Sequence, residues 1–130
     1  MIVVDASALI EVLLRTPSAG TVEDLLFATG QTLHAPHLID VEVMQVIRRY
    51  AATGEIDGPR GRAAIDDLID FPIRRYQHDF LLPRVWELRE TLTAYDAAYV
   101  ALAEALDATL LTRDRRLASA LGHDARVQVA

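Results

Sequence analysis

A chain of 130 residues suffices for one domain, spanning 1–130, that buries about two-thirds of the surface its unfolded form would expose. The composition is globular, 52% hydrophobic and 25% charged, and the absence of cysteine excludes disulfides and thiolate metal sites. A net charge of −6 argues against holding nucleic acid by bulk attraction, and all 13 basic residues are arginine, which excludes P-loop and Schiff-base chemistry that needs a lysine.

The opening "MIVVDASALI" sets Ile2, Val3 and Val4 as a β-branched run suited to a strand buried on both faces, ending on Asp5. No basic region precedes that run and no long uncharged apolar stretch follows, so the expectation is a cytoplasmic protein without a membrane segment. Ala8 to Arg15 reads as a short helix. Pro17 and Ser18 open a second, running to about Thr29 and stopped by Gly30. "TLHAP" is a second strand, and it feeds a long helix in which Ile39, Val43, Val46, Ile47 and Tyr50 recur at helical spacing until Gly54.

A helix from Pro59 to about Ile69 precedes the strand "FPIRRYQ", whose Pro72 suits an edge or an irregular start. "DFLLPRVWELRETL" and "AYDAAYVALAEALD" are helical, "ATLLT" is a strand, "DRRLASALG" is a last helix ending at Gly122, and "RVQV" is a short final strand. Strands alternating with helices predict a parallel sheet covered on both faces, with any ligand site beyond the carboxyl ends of the strands.

That rule gives the acids at strand ends a shared address. Asp5 follows the first strand and Asp114 follows "ATLLT", while Asp96 opens a helix leading back to that strand. Each has an ordinary explanation: Asp5 or Ser7 as the cap of the first helix, Asp114 as the cap of the last, and Thr93-Ala-Tyr-Asp96 as a capping box. In the long helix, Glu42 lies about 100° from Val43 on the helical wheel and Asp40 about 60° on the other side, so periodicity does not choose between them. Acids gathered without a counter-charge repel, and a fold tolerates them when a cation is present. With oxygen ligands and no cysteine, that cation is Mg²⁺ or Mn²⁺, and the implied chemistry is metal-assisted phosphodiester hydrolysis.

In order and spacing, "VVDAS", "PHLIDVEV", "TAYDAAYVALAEAL" and "LLTRDRRLA" resemble the PIN-domain ribonucleases, and more narrowly the VapC toxins of bacterial toxin–antitoxin pairs. The resemblance spans the whole chain. It implies a three-layer α/β/α sandwich around a mostly parallel sheet, with Asp5, Glu42, Asp96 and Asp114 as the catalytic, metal-binding set and Glu42 rather than Asp40 in the glutamate position. It implies that Ser7 and Thr112 orient the acids through their hydroxyls. It also implies a homodimer that cuts RNA, silenced by a cognate VapB-type antitoxin, for which Leu13, Leu14, Leu25 and Leu26 are candidate contacts. Some relatives carry a further acid two residues after the last aspartate, where this chain has Arg116.

For RNA to be held by an acidic protein, local basic groups must act, and Arg113, Arg115 and Arg116 stand beside Asp114. The doublets Arg48-Arg49 and Arg74-Arg75 suit solvated faces. His34, His37, His78 and His123 lack metal-ligand spacing. Phosphatases of the haloacid-dehalogenase type and receiver domains also place an Asp after the first strand, but both need a lysine that this chain lacks. The remaining alternative is a catalytically silent PIN-like binding module.

Overall fold

A computed structural model describes residues 1–130, and it joins five strands into one sheet. Strand β1 (Ile2–Val4) is followed by α1 (Ala6–Leu13) and α2 (Ala19–Leu26), then β2 (Leu33–Pro36), α3 (Leu38–Thr53), α4 (Gly58–Asp70) and β3 (Ile73–Tyr76). A 3-10 turn at Asp79–Leu81 leads into α5 (Leu82–Glu87), then α6 (Ala94–Leu106), β4 (Thr109–Thr112), α7 (Arg115–Ser119) and β5 (Arg126–Val129). The sheet order is β3-β2-β1-β4-β5 and every ladder is parallel.

Parallel neighbours joined by helices cross over right-handedly. From β1 to β3 the chain steps one way across the sheet, so α1 to α4 cover one face. From β3 onward it steps the other way, so α5 to α7 cover the opposite face. The result is the expected three-layer α/β/α sandwich. The direction reverses between β1 and β4, and such a switch point leaves a crevice beyond the carboxyl ends of the two strands. Val4 pairs with Leu111, so Asp5 and Thr112, the next residues, stand level at that crevice.

The apolar runs are buried as their composition requires. Val3, Val4, Leu110 and Leu111 are inaccessible or nearly so, and in α6 every residue from Ala97 to Ala103 is buried, because the sheet lies beneath that helix and α5 packs against it. On the other side Ile39, Val43 and Ile47 form the buried stripe of α3, which ends where Gly54 adopts φ +80°, a conformation that glycine reaches without strain.

Several expected boundaries shift. Helix α1 begins at Ala6 rather than Ala8, because Asp5 itself is the cap. Helix α2 ends at Leu26 rather than near Thr29, and Gly30 lies in the turn beyond it. The predicted helix over 79–92 is a 3-10 turn and a six-residue helix, after which Thr91 is held by the Leu121 carbonyl as the chain turns toward α6. The last helix ends at Ser119, since Ala120 is already extended.

Candidate active site

The carboxylate of Asp5 is the most constrained of the four acids. Its Oδ1 accepts from the Ala8 amide at 3.1 Å and from Ser7 Oγ at 2.6 Å, while Oδ2 accepts from Thr112 Oγ1 at 2.5 Å. The two hydroxyls are themselves fixed: Ser7 Oγ accepts from the Arg113 amide, and Thr112 Oγ1 accepts from the Asp114 amide, both at 3.0 Å. Thr112 is fully buried and Asp5 is only 6% exposed. Ser7 and Thr112 thus tie the start of α1 to the end of β4 through Asp5.

Asp96 and Asp114 arrive by helix capping. Thr93 Oγ1 accepts from the Asp96 amide at 3.2 Å, which caps α6 and holds Asp96 in its first turn. Asp114 caps α7 by accepting from the Arg116 amide at 2.9 Å. The capping and clustering explanations therefore hold together: the bonds that start α1, α6 and α7 also gather their acids on one rim.

Glu42 arrives differently. It projects from the flank of α3, and its Oε1 accepts from the hydroxyl of Tyr99 on α6 at 2.6 Å. Asp40, the other acid of that turn, is held by Arg75 Nε, at 2.9 Å from both of its carboxylate oxygens, and so faces β3. Tyr99 was not among the residues the sequence singled out. The signal was its place three residues after Asp96, on the same face of α6.

The electrostatics link the four acids. Burial pushes Asp5 above the usual carboxylate range against the pull of its hydrogen bonds, and Asp96 adds a smaller push. Glu42 is raised by burial, opposed by Tyr99, and raised further by Asp96 and Asp5. Asp96 is raised by burial and by Asp114. Only Asp114 is lowered, chiefly by the Arg116 guanidinium. Asp5, Glu42 and Asp96 each feel the charge of another acid, yet no three carboxylate or imidazole groups in the chain converge as a ready-made metal cage.

Residues 2–121 match the PIN domain family model. This chain is a PIN-domain protein. It is 40% identical over 129 residues to ribonuclease VapC12 of Mycobacterium tuberculosis, covering 99% of this chain and 98% of that one. It is 44% identical over 117 residues to ribonuclease VapC9 of the same organism, covering 90% and 88%. The crystal structure of Mycobacterium tuberculosis VapC20, a sarcin-ricin loop cleaving toxin, shares the fold with a TM-score of 0.73 at 15% identity, over 95% of this chain and 97% of that one.

Around the acids of this PIN domain the arginines divide. Arg113 is turned inward, donating to the Ala130 carbonyl at 3.1 Å and to Ser18 Oγ at 3.3 Å, with Glu11 3.8 Å away. Arg116 lies on Asp114, while Arg115 is exposed and forms no ion pair. Of the leucines considered for partner contact, Leu13 and Leu26 are core residues, and Leu14 and Leu25 are half-buried against the core. The exposed apolar groups lie elsewhere: Val41 and Met44 on α3, Leu82 and Trp86 on α5, and Tyr95 beside Asp96. A groove beside the acids is lined by Ala6, Leu38, Val41, Glu42 and Tyr95 among others. No helix is long and apolar enough to cross a membrane.

Proposed function

We propose that this chain, a single PIN domain, is a divalent-metal-dependent endoribonuclease and the toxin of a type II toxin–antitoxin pair, which hydrolyses RNA phosphodiester bonds in the cytoplasm and arrests translation and growth. The observation that carries the reading is the gathering of Asp5, Glu42, Asp96 and Asp114 at the switch point of the sheet, with three of the four raised by burial and by one another's charge. VapC12 and VapC9, similar over nearly all of the chain, are named ribonucleases, which supports the same activity here.

The donor set fits Mg²⁺ or Mn²⁺. It is all oxygen, and such ions bind through one or two carboxylates while keeping waters, so a closed protein cage is not required. When bound, the ion supplies an activated water and Lewis-acid charge at the phosphate. Asp5, with three protein donors on its oxygens, is the fixed ligand; Asp96, Glu42 and Asp114 complete the charge. Ser7 and Thr112 hold Asp5 in place, and Arg115 is the free cation suited to an RNA phosphate.

The partners follow from the exposed surface. The groove along Val41 and Tyr95 borders the acids and suits an apolar segment of a VapB-type antitoxin that covers the site. Leu82 and Trp86 suit the contact of a homodimer. The test is RNA cleavage by purified protein with Mn²⁺ or Mg²⁺, with and without chelator, for wild type and Asp5→Asn. Metal-dependent cleavage lost in the variant is expected. A wild type that binds RNA and leaves it intact, with metal present, favours the silent binding module.

A further inference from the structure

We propose that Tyr99 is the positioning residue for Glu42, holding that carboxylate in the geometry from which it serves a divalent cation. The proposal rests on the nuclease reading above and deepens it.

Tyr99 is 2% exposed, and its hydroxyl has one partner, Glu42 Oε1. A buried tyrosine ring packed in a helix that is itself enclosed does not swing, so the hydroxyl is a fixed point. Glu42 is the opposite kind of group, a long side chain on the flank of α3 with three torsions to fix. Tyr99 is its only protein hydrogen-bond donor. Asp5 has three donors, and Asp114 is held by Arg116. The placement of the glutamate therefore depends on a single contact.

The placement of that contact is also specific. Tyr99 lies one turn after Asp96, so α6 carries both an acid of the set and the hydroxyl that holds the acid from α3. A phenol bonded to an ionised carboxylate makes a short, charge-assisted bond, which leaves Oε2 for another partner. Partners of this kind behind a metal ligand typically govern metal affinity by about ten- to a hundredfold. A tyrosine that merely fills the core would have no such effect.

The test is a double-mutant cycle on Mn²⁺ affinity, measured by calorimetry without RNA. Tyr99→Phe keeps the ring and removes only the hydroxyl. It is expected to weaken Mn²⁺ binding about tenfold in the wild-type background and less than about twofold alongside Glu42→Ala. Equal losses in both backgrounds, or none in either, overturn the proposal. If Asp5→Asn abolishes binding but Glu42→Ala does not change it, the proposal falls and the nuclease reading stands. If no acid variant affects Mn²⁺ binding, both fall. A second measurement avoids the Tyr99 variant: Mg²⁺ should perturb the tyrosine ultraviolet spectrum of the wild type and not that of Glu42→Ala, and equal spectra would also overturn the proposal.

Discussion

The Arg116 guanidinium lies across both carboxylate oxygens of Asp114, with Nη2 2.6 Å from Oδ2 and Nε 3.1 Å and 3.2 Å from Oδ1 and Oδ2. The same aspartate accepts the Arg116 amide to cap α7. Arg116 therefore supplies both the amide that Asp114 caps and the counter-charge, and Asp114 alone of the four acids is neutralised from within the chain.

A cation approaching Asp114 competes with that guanidinium. Arg116→Ala should therefore tighten Mn²⁺ binding. The arginine is 86% exposed and well screened, so the gain expected is modest, about two- to fivefold at low salt. It should vanish near 1 M salt, where the Debye length falls to about 3 Å. Calorimetry at the two ionic strengths checks this; unchanged or weaker binding at low salt would contradict it.

The pH dependence of stability separates the acids by sign. Asp5, Glu42 and Asp96 are raised in the folded state, so the native protein holds protons that the unfolded chain has released. Their contribution is fully present below the ordinary carboxylate range and is lost as pH rises through their raised folded values. Asp114 is lowered and acts oppositely: its contribution is present above the ordinary range and is lost as pH falls through its depressed value. His34, lowered by burial, opposes them as pH falls through the ordinary imidazole range, so in a His34→Gln background the metal-free protein should gain stability on mild acidification from neutral pH, until other groups titrate. Denaturant midpoints across that range measure it, and a flat or falling profile just above the ordinary carboxylate range would refute it.

Much of this architecture was legible because it rests on local rules. The run Ile2–Val4, the stripe of α3 and the stop at Gly54 each follow from one periodicity or one backbone preference. Asp5, Asp96 and Asp114 were visible as caps, and parallel topology brings such positions to one rim. Glu42 against Asp40 was not decidable from the helix alone. What separates them is Arg75 on β3 and Tyr99 on α6, each more than thirty residues away. The fate of Arg113 was hidden for the same reason, since its partners Glu11, Ser18 and Ala130 come from three distant segments. The early end of α5 was not legible because the turn after it is fixed by Leu121, thirty residues on from Thr91.

Replacing Asp96 by Asn tests whether the gathered charge has a cost that a metal relieves. The backbone bond to Thr93 is retained, so the cap of α6 survives. Removing one charge from a half-buried, mutually repelling set should raise metal-free stability by about 1 kcal/mol, or ~4 °C for a domain of this size. Wild type should gain stability with Mn²⁺ as RT ln(1 + [L]/Kd) requires, and the variant should gain little. Melting curves with and without metal measure both. Equal metal responses would remove Asp96 from the cation site.

The arginines beside the site should separate into one that holds the fold and one that meets RNA. Arg113 bridges α1, the start of α2 and the chain end, so Arg113→Ala should lower stability by about 1 kcal/mol. Arg115 is exposed and has no acidic partner, so Arg115→Ala should leave the melting temperature within a degree or so. If Arg115 contacts one phosphate, its loss should weaken binding of a single-stranded RNA and reduce the slope of log affinity against log salt by about 0.7. Anisotropy titrations in the Asp5→Asn background, where cleavage is not expected, measure that slope directly. An unchanged slope would take Arg115 out of the RNA contact and leave binding to the cation and to groups farther along the groove.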